Sequence, residues 1–141
     1  MHIPQLSHVF SMTEQECWYQ LSSMTLGRLA TSTDARPDIF PVNFVVQRRT
    51  ILIRTAEGSK VAAISTNPWV AFEADDHGVE RGWSVVVHGH AELLEFGPDI
   101  ARAEKAQVLP WTATAKPRFI RIDPTRISGR HFTFGADPDL A

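Results

Sequence analysis

The chain has 141 residues, of which 43% are hydrophobic and 21% are charged, a composition typical of one globular domain with a buried core. Its formal net charge of −2 gives no general attraction to nucleic acid or to an anionic membrane, so neither is expected as a partner. Cys17 is the only cysteine, which excludes an internal disulfide and a metal site built from cysteines. The first residues form neither a basic leader nor an apolar run, and a cytoplasmic location is expected.

The first predicted element is a helix that starts at a capping box formed by Thr13 and Glu16, with Cys17 on its buried side. The stretch "LGRLATST" predicts a strand, and "DARPD" predicts a turn. The next strand, "IFPVNFVVQ", contains Pro41, which has no amide hydrogen to donate to a neighbouring strand. We therefore expect an edge, a bulge or a ligand beside this strand at Pro41.

A hairpin turn at "QRR" leads into the strand "TILIRT", and the helix "GSKVAAIST" follows until Asn67 and Pro68 stop it. The strands "WVAFEADD" and "WSVVVHGHAELLE" come next, with Gly89 as a candidate bulge. A surface helix, "GPDIARAEKAQV", then leads through a loop to the strand "PRFIRIDPTRISGRHFTF" and a loose C-terminal tail. Six short strands and three helices predict a mainly β protein, a small antiparallel barrel that forms one domain over residues 1–141.

A candidate anion site lies where the strand "TILIRT" turns into the helix "GSKVAAIST". Two cations and two hydroxyls surround this turn, and we call these four residues the phosphate corner: Arg54, Thr55, Ser59 and Lys60. The amides and the dipole of a helix N-terminus favour a phosphate there. The alternative is a helix whose charged neighbours simply face water, and these residues alone favour neither.

Other catalytic or ligand-binding patterns are weak. Neither a Walker loop nor a dinucleotide fingerprint is present. His88 and His90 share one strand face but are more typical of a polar surface than of a metal site, and no metal is expected. The adjacent carboxylates Asp75 and Asp76 point to opposite faces, so no acid–base pair is assigned and the catalytic residues stay unknown. Trp83 and Trp111 border turns or loops, where an aromatic side chain can stack on a ligand ring or can simply be half-buried.

In order and spacing, four segments resemble the flavin-binding split barrel of the pyridoxamine 5'-phosphate oxidase family: "LGRLATSTDARPDIFPVNFVV", "ILIRTAEGSKVAAISTNPWVAFEADD", "GWSVVVHGHAELLE" and "PRFIRIDPTRISGR". Together they cover the core of the chain, about residues 14–132. The resemblance implies a six-stranded antiparallel Greek-key split barrel that forms a homodimer, with flavin mononucleotide (FMN) in clefts between the subunits. It implies that the phosphate corner holds the FMN phosphate and that the flavin ring lies beside Pro41, Val42, Asn43 and Phe44. Trp83 and Ser84 would reach the site from near the dimer interface, and Trp111 would close the cleft.

Two departures from the family pattern concern the substrate. Members that oxidise pyridoxamine phosphate carry an arginine and a lysine at positions that correspond to Phe40 and Val45 here. Their arginine-rich C-terminal substrate segment has no counterpart in "RISGRHFTFGADPDLA". The resemblance therefore implies an FMN-binding oxidoreductase of the oxidase-related branch that acts on a different, unknown small organic substrate.

Three alternatives remain open at the level of the sequence. A deazaflavin-dependent reductase on the same fold would use basic residues around its cofactor's anionic tail, for which Arg28, Arg36, Arg48 and Arg49 are candidates. A non-catalytic protein that holds flavin or haem as a store, sensor or carrier is the second, and haem would use a histidine, for which His88, His90 and His131 are candidates. A structural barrel with an empty site is the third.

Overall fold

The computed structural model describes residues 8–56, 58–95, 97–105 and 118–134. In chain order the elements are β1 Val9–Ser11, α1 Glu14–Ser22, β2 Leu26–Thr33, β3 Arg36–Gln47, β4 Thr50–Thr55, α2 Ser59–Thr66, β5 Trp69–His77, β6 Arg81–Leu93, α3 Gly97–Lys105 and β7 Arg118–Thr133. Trp111, the last three residues of the predicted third helix and the tail from residue 135 lie outside the described residues.

Six of the strands close a barrel. β2, β3 and β4 form an antiparallel meander, and β5 returns to pair with β2, which is a Greek-key arrangement. β6 pairs with β5, and β7 pairs with both β6 and β4. The predicted six-stranded antiparallel Greek-key barrel is confirmed. β1 is an additional strand on β7 whose three exposed residues carry no alternating pattern that would reveal it.

Two tight hairpins fix the register of the meander. Asp34 and Ala35 join β2 to β3, and Arg48 and Arg49 join β3 to β4, with φ between 51° and 62° at all four residues. Positive φ at both central residues is the geometry of a type I′ turn, whose twist matches that of the flanking strands. Both turns lie where the sequence predicts them.

The main core lies inside the barrel and beneath α1. The capping box forms as predicted: the amide of Glu16 donates to the Thr13 hydroxyl at 3.1 Å, and the amide of Thr13 donates to the Glu16 carboxylate at 3.1 Å. This cap sets the start of α1, which buries Cys17 and Leu21 against the sheet. Burial raises the pKa of the Cys17 thiol, so this side chain stays protonated and has a packing role.

A bulge is present opposite Gly89, the predicted position. The register between β6 and β7 shifts between His88 and Gly89, whose partners are Arg126 and Pro124, so the extra residue is Thr125 on β7. A Cβ atom at Gly89 would collide with the carbonyl oxygen of Asp123, which explains the glycine on the facing strand.

α3 covers the outer face of β4 and β7. Ala103 of this helix joins Leu52, Leu94 and Phe119 in a second buried cluster. β4 is therefore buried on both faces, which explains its unbroken apolar run at 51–53. None of the helices in the described parts of the chain combines the length and the apolar character needed to cross a bilayer.

Candidate functional site

β3 has an open edge around Pro41. Its pairing with β2 runs from Arg36 to Asn43, whereas its pairing with β4 covers only Asn43 to Gln47 in the described ranges. Residues 36–42 therefore have a strand partner on one side only, and we call their other side the open edge. Pro41 lies within it. Because no strand pairs with this side of β3 in the described ranges, the sheet does not need the amide hydrogen that proline lacks. The first of the three expectations for Pro41, an edge, is confirmed.

The phosphate corner lies next to this open edge. Arg54 is opposite Asn43, the last β3 residue before the open edge, and α2 begins at Ser59. The Lys60 Nζ atom is 5.2 Å from the centre of the Phe40 ring on β3, and the Arg54 guanidinium carbon is 5.7 Å from the centre of the Phe119 ring. Gly58, which has no side chain, forms the N-cap of α2 with φ of 153°. The N-terminus of α2, whose dipole favours an anion, therefore lies at the phosphate corner.

One of the four predicted corner side chains, that of Thr55, does not reach the surface. Thr55 is 1% exposed, and its hydroxyl donates to the carbonyl of Ala56 at 3.2 Å. Its side chain points into the barrel because it lies on the opposite face of β4 from Arg54. Ser59 is exposed at the first turn of α2. The structure therefore leaves Arg54, Ser59 and Lys60 at least partly exposed around the turn from β4 to α2, and it turns the Thr55 side chain away from them.

The residues predicted to line a flavin ring alternate in the same way. The side chains of Val42 and Phe44 are buried in the core, whereas Pro41 and Asn43 face outward. The Asn43 amide nitrogen donates to the carbonyl of Thr25 at 3.3 Å, which fixes the orientation of the carboxamide. A ligand beside this strand can meet the side chains of Pro41 and Asn43, whereas the side chains of Val42 and Phe44 are buried and the Phe44 amide already donates to the carbonyl of Thr25.

Trp83 and Ser84 lie apart from the phosphate corner within one chain. Both are on β6, which pairs with β5 and β7 and not with β3 or β4. Trp83 packs against the main core, while Ser84 lies on the outer face beside Asp75. Their side chains point to opposite faces, and any contribution to a site at β3 would have to come from a second copy of the chain. Their role stays a prediction.

Arg28, Glu73 and Asp75 form an ionisable cluster on the outer face of the barrel, and the sequence analysis does not predict this cluster. Arg28 on β2 contacts two carboxylates of β5: its Nη1 atom is 2.8 Å from Glu73 Oε1 and 3.3 Å from Asp75 Oδ2. Arg28 is also the β2 partner of Pro41. Glu73 lies two strands away from β3, which places it about 10 Å from residues 41–44, the segment predicted to line a flavin ring.

The pKa of Glu73 rises to about 7. Burial is the largest cause, the hydrogen bond to Asp75 and its negative charge raise the pKa further, and Arg28 opposes them. A carboxyl group with this pKa can hold or release a proton near neutral pH. The signal in the sequence was the spacing of Glu73 and Asp75, two residues apart on one strand face, and not the adjacent pair Asp75 and Asp76.

The four arginines considered for an anionic cofactor tail are not gathered in one place. Arg28 is held by the carboxylates of β5, and Arg36 lies at the start of β3. Arg48 and Arg49 form the turn at the other end of that strand.

The histidines are equally dispersed. His88 is half-buried on β6 and accepts a hydrogen bond from Thr125 at its carbonyl, and the exposed His90 packs edge-on against Trp69 at 5.3 Å. His131 lies on β7 and stacks on Phe10. Among the described residues, no three His, Cys, Asp or Glu side chains lie close enough to hold a metal ion.

The family model described as pyridoxamine 5'-phosphate oxidase matches residues 13–131 of the chain. An uncharacterized protein of Mycobacterium tuberculosis is 52% identical over 95 residues, which cover 67% of this chain and 86% of the relative. The solved FAD-binding protein of Mycobacterium smegmatis is 52% identical with a TM-score of 0.78, and the match covers 89% of this chain and all of that one. A FAD-binding protein of Mesorhizobium loti is 26% identical with a TM-score of 0.79, covering 87% and 97%.

The raised pKa of Glu73 predicts that acid stabilises the fold through this residue. An unfolded glutamate loses its proton near pH 4.5, whereas folded Glu73 keeps it up to about pH 7. Between these values the folded state binds a proton that the unfolded state has released, so its stability falls as the pH rises. Because Glu73 is partly solvated, we expect a loss of about 1 kcal/mol or less between about pH 5 and about pH 8.

The Glu73→Gln variant is expected to lose this part of the pH dependence, as measured by urea unfolding at the two pH values. Asp76→Asn is the matched control, because Asp76 is exposed on the same strand and has no resolved role in the cluster. A Glu73→Gln protein with the same pH dependence as the wild type would contradict the assignment.

Proposed function

Because the chain belongs to the pyridoxamine 5'-phosphate oxidase family, we propose that it binds a flavin nucleotide at the open edge of β3 and exchanges electrons with a small organic substrate. The single observation that carries the proposal is the position of the open edge, which ends beside Arg54, Ser59 and Lys60. A flavin nucleotide has a flat ring and an anionic phosphate, so it needs an open edge and a group of cations side by side. The FAD-binding proteins that resemble this chain support the same ligand class.

In this proposal the phosphate corner holds the flavin 5'-phosphate. Arg54 and Lys60 supply positive charge, Ser59 supplies a hydroxyl, and the first amides of α2 donate to the remaining oxygens. Thr55 supports the corner from inside the barrel, because its buried hydroxyl fixes the chain between β4 and α2. The aromatic rings of Phe40 and Phe119 lie beneath the two cations and limit the positions that their charged ends can take.

The flavin ring would lie along the outward side of 41–44. A bound flavin supplies the two-electron chemistry, and the protein supplies position and polarity. The oriented carboxamide of Asn43 would meet the polar edge of the ring. Glu73, held two strands away by Arg28, has a pKa of about 7, which suits a group that supplies or accepts the accompanying proton.

The substrate proposed here is not pyridoxamine phosphate. Phe40 covers Lys60, and Val45 packs against the cluster beneath α3. Neither residue can supply the positive charge that the family places at these positions. The charged substrate site is therefore replaced by apolar contacts, which favours a neutral organic substrate.

FMN is the ligand expected from the sequence, and the two similar proteins described above bind FAD. Both ligands share the flavin ring, the ribityl chain and the first phosphate. The site proposed above is built from contacts to that shared part, so it serves either nucleotide.

We also propose that two copies of the chain pair through the outer face of β2, β3 and β5. Ile39 is 63% exposed and Trp69 is 59% exposed on this face, and the small residues Ala30 and Ala71 lie between them. Such exposed apolar groups around small neighbours are typical of an interface.

Removing both cations of the corner is expected to weaken flavin binding. The Arg54→Gln/Lys60→Gln variant keeps much of each aliphatic stem and loses two charged contacts, each of which contributes about 1.5 to 3 kcal/mol. We expect the dissociation constant for FMN to rise by about 100-fold or more, as measured by quenching of flavin fluorescence.

The matched control is Arg48→Gln/Arg49→Gln, which makes the same change in net charge at the far end of β3. It should bind FMN as the wild type does. Equal losses in the two double variants would show that the effect is one of net charge, and the corner would not be the phosphate site.

The dimer surface is tested with Ile39→Glu. A wild-type dimer should dissociate into monomers in this variant, because the interface would then bury a carboxylate without a partner. Light scattering after size exclusion gives the mass directly. Val79→Glu is the control, since Val79 is 93% exposed in the turn between β5 and β6. A monomeric wild type, or a Val79→Glu variant that also dissociates, would contradict this surface.

A further inference from the structure

A pocket lies beside α1 at the end of the barrel where β5 ends and β6 begins. Its volume is about 430 Å³, within the range of small-molecule sites. We call it the Trp83 pocket, and its side chains come from four elements: Gln20 of α1, Asp76 and His77 of β5, Arg81 and Trp83 of β6, and His131 of β7.

The Trp83 pocket is separate from the phosphate corner within one chain. At one end of β7, Arg118 lies opposite Thr55 of β4, where the chain leaves for the phosphate corner. Near the other end of β7, His131 lies opposite Trp83. None of the pocket's described lining residues is on β3, β4 or α2, so the flavin site proposed above does not account for this pocket.

Asp76, Trp83 and His131 form one row across three strands. Trp83 is opposite Asp76 of β5 on one side and opposite His131 of β7 on the other. Residues that are directly opposite on neighbouring strands point to the same face, and for Trp83 this is the face that packs against the main core. Two strand spacings separate Asp76 from His131 by about 10 Å. A half-buried indole therefore lies between a carboxylate and an imidazole.

The polar groups of the pocket are oriented by their neighbours. One carboxylate oxygen of Asp76 accepts the amide of His77 at 2.9 Å, which leaves the other oxygen for a donor on a ligand. The His131 ring stacks on Phe10 with ring centres 5.2 Å apart, which fixes the plane of the imidazole. Neither Asp76 nor Arg81 forms an ion pair within the described parts of the chain, so both charges are available to a ligand.

These groups fit a flat ring that carries an amino group and a carboxylate. The indole of Trp83 offers a face for stacking, and the Asp76 carboxylate accepts a hydrogen bond from an amino group. Arg81 is two residues before Trp83 on the same face of β6, and its guanidinium suits a carboxylate. An aliphatic ligand would leave the face of the indole unused, and a second carboxylate on the ring would be repelled by Asp76.

We propose that the Trp83 pocket is a second ligand site, distinct from the flavin site, for a small aromatic carboxylate that has an amino group on its ring. The ring stacks on Trp83, the amino group donates to Asp76, and the carboxylate pairs with Arg81. His131 borders the ring on the side opposite Asp76 and limits the width of the ligand.

The probe that tests this site is 2-aminobenzoate, which has both groups on one ring and fluoresces. It is titrated into the full chain, and we expect a saturable change in its fluorescence. Trp83→Leu should raise its dissociation constant about tenfold. The matched control is Trp69→Leu, which removes an indole that is 59% exposed on the outer face of β5 and should bind the probe as the wild type does.

A second variant tests the pocket even if Trp83→Leu folds poorly. Arg81→Gln should raise the dissociation constant for 2-aminobenzoate about tenfold and leave that for aniline, which lacks the carboxylate, unchanged. Arg48→Gln is its matched control, because Arg48 lies in the turn between β3 and β4.

Three outcomes would overturn the inference. They are a wild type that does not bind 2-aminobenzoate saturably, equal losses in Trp83→Leu and Trp69→Leu, and displacement of the probe by FMN. The first two would leave the flavin site standing, and the third would make the pocket part of that site. A wild type that binds the probe but neither FMN nor FAD would overturn the flavin proposal and leave this one standing.

Discussion

β3 loses its partner strand beyond Asn43 because β4 ends at Thr55 and the chain turns into α2. The turn is needed to seal the barrel, since Ile64 of α2 packs in the main core. Within the described ranges, seven residues of β3 pair with a strand on one side only, and the helix that seals the barrel begins beside their open edge. The open edge and the phosphate corner both follow from this one departure of the chain from the sheet.

The fold could be predicted from the sequence because its signals are local. Each of these signals comes from the backbone geometry of a few neighbouring residues, and the structure contains that geometry in each case. The signals are the capping box at Thr13, the two hairpin turns, Pro41 and Gly89. β1 could not be predicted, because three exposed residues acquire a role only through pairing with the far end of β7.

The site could be predicted only in part, because it depends on faces and on pairing between distant strands. Alternation along β4 puts Arg54 and Thr55 on opposite faces, and the same rule separates Trp83 from Ser84. Both differences in side-chain direction could have been predicted from the sequence. The raised pKa of Glu73 could not, since its largest cause is the burial of Glu73 in the assembled sheet, which Arg28 on β2 only partly offsets. A groove between the β2–β3 hairpin and α2 likewise forms from segments that are not neighbours in sequence.

The central claim is that the open edge of β3 and the phosphate corner hold a flavin nucleotide. Its most direct test is the visible absorption spectrum of the purified protein, with the released chromophore identified by mass. The proposal predicts the two-banded spectrum of an oxidised flavin, either in the protein as isolated or after FMN or FAD is added. The single band of a deazaflavin, the Soret band of a haem, or the absence of any flavin uptake would contradict it.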